Sequence, residues 1–331
     1  AHRLSLPLLQ KLGLESLQRY RDFIPLTAES SLVIRDLEEQ LLARSRGFGV
    51  TQWLVGDSGF GKSTALWKVL QSHASRGGFV LWMPGSLCDE CLSLQSALDK
   101  WLHELMPSLQ ADAGSEALQL LNESQKLWLV VDDVNRTDDP LRALRNLRSW
   151  TESSSSKLEE SERRFPLLVF CPVWPQFWSV LHQQRLLTPP NSSAFASDIQ
   201  GTVSEIVTLG HMTPEESKEA VAIAAQHAGV AVSPLEEKTL SEGLGHDPFL
   251  IGLLADLWRD ELPAELIACQ PVEHWADYLI QHYLLKRCRE AAARPETRSV
   301  AADYQRALQL LGKFMVRHRR LRPRWDEVCL W

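Results

Sequence analysis

The sequence predicts an α/β fold: a parallel sheet covered by helices on both faces, followed by a mostly helical portion. Three observations predict it. Short β-rich runs alternate with amphipathic stretches through the first 210 residues, the pattern of a sheet whose crossovers are helices. The third of these runs, "KLWLVV", is apolar nearly throughout, as a strand buried on both faces requires. After Leu209 the strand signal stops and only helix starts remain.

Each element has its own reason. Residues 1–47 read as a helical lead-in. In "AESSLVIRDLEEQLLARSRG" the apolar residues Leu32, Ile34, Leu37, Leu41 and Leu42 make a stripe that Gly47 stops. "VTQWLV" (Val50 to Val55) is the first strand, and "KSTALWKVLQSHAS" the helix after it. "GFVLWM" (Gly78 to Met83) is the second strand, and "LSLQSALDKWLHEL" an amphipathic helix. "KLWLVV" (Lys126 to Val131), "PLLVFC" (Pro166 to Cys171) and "VSEIVTL" (Val203 to Leu209) are the third, fourth and fifth strands. "TESSSSKLEESERRF" and "TPPNSSAFASDIQG" predict solvated loops on composition. Trp53, Trp67, Trp82, Trp101 and Trp128 fall on these elements, where large rings fill the space between helices and sheet.

The later helix starts share one grammar. Thr213 is an N-cap, with Pro214 at the first helical position and Glu216 three residues on; Ser233, Pro234 and Glu236 repeat it. Proline is harmless there because its missing N–H would have no partner. Asp247 and Pro248 open "DPFLIGLLADLW" in the same way, and "YQRALQLLGKFMVRH" is the clearest amphipathic stretch beyond it.

Composition sets outer bounds. With 331 residues, 44% hydrophobic and 23% charged, the chain can bury a sizeable core. No apolar run approaches the roughly 18 residues of a membrane span. The longest, "FPLLVFCPVWPQFW", is broken by three prolines. The start lacks a signal-peptide layout and a methionine, so a cytoplasmic location and an excised fragment are expected. Cys88 and Cys91 have C-x-x-C spacing, but Cys171, Cys269, Cys288 and Cys329 are scattered singly. Free thiols are expected over a zinc or redox site.

Net charge is −7, unevenly spread. Lys286 to Arg324 holds 12 Lys/Arg against three acids, a local +9, so the remainder carries −16. Such a segment suits either a nucleic-acid surface or a solvated helix face.

The chemistry sits in "LVGDSGFGKSTALWK". Gly56, Asp57, Ser58, Gly59, Phe60, Gly61, Lys62 and Ser63 fit G-x-x-x-x-G-K-[ST], between a strand and a helix. The glycines let successive N–H groups turn inward around a phosphate. Lys62 would reach the β- and γ-phosphates, and Ser63 would ligate magnesium, with Thr64 beside it in the first helical turn. The helix adds its positive end. In "LWLVVDDVN" an apolar strand ends in two acids: Asp132 for the magnesium shell and Asp133 to polarise the attacking water. ATP or ADP with Mg²⁺ is the cofactor set these residues request.

Taken together these motifs resemble the STAND class of P-loop ATPases, which includes the NACHT and NB-ARC groups. "LVVDDVN" is similar to the NB-ARC form of its motif, "IVTLGHMTPEESKEAV" resembles the end of that core, and "GLGHDPFLIGLLADL" resembles the Gly-x-Pro motif that opens a lid helix. The resemblance covers about residues 20–262. It implies a sheet of order 5-1-4-3-2, with boundaries of 48–210 for the core, 211–265 for a helical lid and 266–331 for a mostly helical, winged-helix-like domain. It further implies that ADP holds the parts closed and that exchange for ATP opens them for self-association. Effector and sensor domains flank such cores, and defence or cell-death signalling is their common setting. Pro248 is carried over as a nucleotide contact. In "RYRDFIPLT", Phe23, Ile24 and Pro25 match an apolar stretch that covers adenine in NACHT relatives, although plain packing would use the same residues.

Three departures stand against the resemblance. The fourth strand ends "VFCPVWPQ", without the arginine that senses the γ-phosphate; Arg136, Arg163 and Arg164 are substitutes to consider. The glycine of "GHDP" lies three residues before Pro248, so "GHDPFL" is equally like the Gly-His-Pro-aromatic-Leu signature of archaeal-type and origin-recognition ATPases, with His246 read as structural. No histidine motif is clear in the last 65 residues, His318 being the nearest. Weak, slow ATP hydrolysis in a nucleotide-operated signalling switch is therefore expected. The alternative is a DNA-associated ATPase of the loader or transposition-helper kind, binding through Arg319, Arg320 and Arg322. A small-molecule kinase fits less well, because Thr188 to Gly210 contains no arginine for a phosphate lid.

Overall fold

The computed structural model describes residues 2–21, 51–121, 125–156, 167–180, 206–259, 270–294 and 298–318. The Leu32–Leu42 stripe, Phe23, Ile24, Pro25, Arg163, Arg164, Arg319, Arg320, Arg322, Cys269 and Cys329 lie outside them. The chain divides into two compact units, Ala1–Met212 and Thr213–Trp331.

In the first unit each anticipated β-rich run yields a strand: β1 Thr51–Val55, β2 Phe79–Pro84, β3 Leu127–Asp132, β4 Leu167–Val173 and β5 Ile206–Thr208. The order is β2-β3-β4-β1-β5, which is 5-1-4-3-2 from the opposite edge. All neighbours are parallel. Side chains alternate between two cores, as a period of two dictates. Trp53, Leu81, Leu129 and Val169 enter one; Leu54, Trp82, Trp128 and Phe170 enter the other. All five tryptophans anticipated as core residues are buried. Cys88 and Cys91 pack in the first core, where burial pushes the Cys88 thiol up.

Helices cover both faces. They are α1 (Leu6–Arg21), α2 (Lys62–Ser75), α3 (Leu87–Glu90), α4 (Leu94–Leu105), α5 (Ala113–Leu120) and α6 (Pro140–Ser156). One correction concerns "TESSSSKLEESERRF": helix α6 runs through Ser156, so the serines there are helical rather than loop. Ala143, Leu144, Leu147 and Trp150 bury that helix against the sheet, and packing outweighs the weak helix preference of serine. Its start uses Asp139 and Pro140, with Asp139 Oδ1 accepting from Arg142 N at 3.0 Å.

Helix α1 seals the edge strand. Ser16 Oγ accepts the Trp82 backbone N–H at 3.0 Å, and Trp67 Nε1 donates to Leu17 O at 3.2 Å. A Cβ on Gly13 would stand 2.1 Å from Val80 O, so only glycine permits this approach. A helix laid along an edge in this way blunts it as a template for other chains.

The second unit contains α7 (Pro214–Ala228), α8 (Pro234–Gly243), α9 (Pro248–Arg259), α10 (Trp275–Ala292) and α11 (Ala301–His318). Both anticipated capping boxes form in full, Thr213 with Glu216 and Ser233 with Glu236. Asp247 Oδ1 accepts from Phe249 N at 2.8 Å at the start of α9. Lys286 Nζ to Asp256 at 2.9 Å ties α10 to α9. His318 stacks on Phe314, with ring centroids 4.3 Å apart.

Candidate functional site

The site grows from the carboxyl ends of β1 and β3, which flank β4. That edge is where open parallel sheets place ligands. Gly56 N donates to Val173 O at 3.2 Å, which fixes the loop on the end of β4. A Cβ on Gly56 would sit 2.6 Å from Leu209 O, beside the bond from Leu209 N to Val55 O at 2.8 Å. Gly59 and Gly61 adopt φ of 90° and 76°, the left-handed geometry that turns the loop into a cradle. Asp57, Ser58 and Gly59 form the exposed rim. Phe60 is half-buried, its ring 4.9 Å from that of His211.

Lys62, Ser63 and Thr64 open α2, so its positive end meets the loop. Lys62 is buried and its Nζ donates to Gly56 O at 2.8 Å and Asp57 O at 2.6 Å. Burial pulls its pKa down, against the pull of Asp132 and Asp57 in the other direction. The ammonium is thus held at the mouth of the cradle, where a phosphate would meet it.

Asp132 closes β3 and is only 3% exposed. Its Oδ1 accepts from Asp133 N at 2.8 Å, and its Oδ2 accepts from the Tyr20 hydroxyl. Burial pushes the Asp132 pKa up, and the bonds from Tyr20, Asp133 N and Ser63 oppose that rise. The structure therefore brings together three groups the sequence named: Lys62, Ser63 and Asp132. The chain has the P-loop NTPase fold.

Asp133 is placed differently from its neighbour. It adopts φ 58° and its Oδ1 pairs with Arg136 Nε at 3.3 Å. Arg136, one of the considered sensor substitutes, is thereby engaged at the surface beside Asp133. In the second unit His246, also left-handed at φ 55°, has its Nδ1 2.7 Å from Ser217 Oγ. This supports its structural reading. Pro248 is the first residue of α9.

Two residues of the site escaped the sequence reading. Tyr20 lies 112 positions from Asp132 and stacks on Trp82 at 4.0 Å. No spacing rule connects it to the acids. Asn135 is buried; its Nδ2 donates to Pro172 O at 3.3 Å and its Oδ1 accepts from Trp174 N at 3.0 Å. Its position within "DDVN" was the available signal.

No family model and no curated protein matches the chain. Solved structures do. A Walker-type ATPase of Pyrococcus abyssi is similar at 14% identity, over 90% of this chain and 82% of that one, with a TM-score of 0.48. The ORC2 protein of Aeropyrum pernix, in ADPNP–ADP complexes, is similar at 13% identity, over 78% and 67%, with a TM-score of 0.43. A replication initiator DnaA bound to AMPPCP and single-stranded DNA is similar at 12% identity, over 86% and 82%, with a TM-score of 0.42.

Proposed function

We propose that the chain is an ATP-binding, Mg²⁺-dependent ATPase whose helical second unit responds to the nucleotide on the first. The observation that carries this is the convergence of the Gly56–Thr64 cradle, buried Lys62 and buried Asp132 on one sheet edge. Ser63 and Asp132 fit a magnesium ion, since both offer oxygen ligands and the Ser63 hydroxyl acts electrostatically on the Asp132 carboxylate. When bound, the metal neutralises phosphate charge. Lys62 takes phosphate oxygens as a point charge, and Asp133 orients water once it leaves Arg136. Phe23, Ile24 and Pro25 cover adenine and Pro248 touches the nucleotide in the same proposal. A ligand moves a two-state protein only by its differential affinity for the states, so contact with Pro248 is what would make the nucleotide a switch.

Two uses of such a device are open. A STAND-type signalling switch with nucleotide-dependent self-association is supported by "LVVDDVN" and the helical unit. A DNA-associated ATPase is at least as well supported, by the "GHDPFL" helix start and by the +9 of Lys286 to Arg324. Calorimetric titration with ADP and ATP, with and without Mg²⁺, tests the shared part: binding is expected, and Lys62→Ala should weaken it by tenfold or more. Wild-type protein that binds neither nucleotide would end the proposal. Duplex-DNA titration across salt separates the two uses. A steep negative slope of log K against log[salt] favours the second, and absent binding with nucleotide-driven oligomers favours the first.

A further inference from the structure

We propose that Tyr20 is a gate on the metal position: its phenol holds the carboxylate that a divalent cation needs, and must let go for the cation to bind. The inference rests on the nucleotide-site reading above. Tyr20 donates to Asp132 Oδ2, and the Ser63 hydroxyl acts on the same phenol. These are the two oxygen ligands the site provides. The phenol oxygen lies against both groups, in the space that a cation held by both would take. Phenol and cation therefore compete for the same place beside the carboxylate.

The gate is held from behind. Tyr20 sits at the last turn of α1, stacked on Trp82 at 4.0 Å. The same tryptophan gives its backbone N–H to Ser16 of α1, and α2 donates to Leu17 O through Trp67. The metal site is thus wired to helix α1, which covers the sheet edge. Release of the phenol frees the final turn of α1 while its Leu9 and Leu12 contacts hold the rest in place. The consequence is directional. ADP without metal is compatible with the closed gate, and Mg²⁺ with nucleotide opens it.

Tyr20→Phe removes the hydroxyl and keeps the ring on Trp82. The concentration of Mg²⁺ that half-maximally tightens a fluorescent ADP analogue should fall about tenfold, the scale of one hydrogen bond to a charged group. Binding of the analogue in EDTA should stay within about twofold, the mark of a change confined to the metal. Hydrogen–deuterium exchange gives a second readout that needs no variant. In wild-type protein with ADP, adding Mg²⁺ should speed exchange at residues 18–21 and leave residues 9–13 protected. An unchanged Mg²⁺ midpoint in Tyr20→Phe, or a higher one that marks Tyr20 as a helper of the metal, overturns the gate. So does metal-independent exchange at residues 18–21. Loss of analogue binding by the wild-type protein would instead remove the nucleotide-site reading on which the gate rests.

Discussion

Asn135 joins two strand exits, and its removal has a size that the structure sets. The β3–β4 ladder ends at the Val130 and Phe170 pair, while β4 continues beside β1 as far as Val173. Pro172 therefore has no β3 partner for its carbonyl, and Asn135 Nδ2 takes it. The same amide accepts Trp174 N. Proline in a central strand is rare because it lacks a donor; here it stands where the ladder on the β3 side has already stopped. Asn135→Ala deletes both bonds and strands a carbonyl and an N–H close to the core. The cost is about 1–3 kcal/mol. For a unit this size each kcal/mol lowers Tm by roughly 2–4 °C, so a drop of about 4–8 °C is expected mid-range. Scanning calorimetry reads it. Asn135→Leu is the control, since it keeps the volume and loses both bonds. A wild-type Tm in Asn135→Leu would refute the hydrogen-bond argument in favour of simple packing. Tm loss of under about 1 °C in Asn135→Ala would refute it outright.

Gly56→Ala places a methyl against Leu209 O, at 2.6 Å in the native backbone. It should destabilise the first unit by about 1–3 kcal/mol and weaken ADP binding, both visible in a thermal-shift series with nucleotide. Glu236 hydrogen-bonds Ser233 through side chain and backbone, which lowers its pKa. Its contribution is therefore present above the ordinary glutamate pKa of about 4.3 and lost as pH falls through the lowered folded value. Urea melts of wild type and Glu236→Gln should converge in acid and separate at neutral pH; a constant gap across pH would contradict the assignment.

What the sequence made legible followed local rules. Strands β1 to β4 were readable because each is buried on both faces and so is mostly apolar, with only Thr51, Gln52 and Asp132 polar among them. The cradle was readable because its glycines, lysine and serine must be contiguous to wrap one phosphate. Capping boxes at Thr213 and Ser233 were readable because cap and partner lie three residues apart. The same grammar stands at Asp139 and Pro140, yet the serines that follow obscured helix α6. Its stability comes from Ala143, Leu144, Leu147 and Trp150 against the sheet, a contact that no window on "TESSSS" contains. Tyr20 and Asn135 were illegible for a related reason. Tyr20 meets Asp132 only after α1 has docked along β2, and Asn135 finds Pro172 only because β3 and β4 are neighbours.

That docking also changes what the lead-in is. A boundary at residue 48 treats α1 as an appendage to the core, but the packing makes it a structural part of it. Gly13 allows the helix to approach Val80, Ser16 answers an edge N–H of β2, and Leu9 and Leu12 enter the core on one face of the sheet while Leu17 enters the core on the other. Without it, β2 would present an unpaired edge, and the Trp82 ring would lose the phenol that covers it. The helix therefore has two roles that share residues. It closes the sheet as any edge cover must, and its final turn delivers Tyr20 to the buried carboxylate of the candidate site. Because the cover and the site are joined through Trp82, a change at the site has a rigid path to the outer edge of the sheet. Coupling of this kind needs a contact with two discrete arrangements. The Tyr20–Asp132 bond, either made or replaced by a cation, has that property.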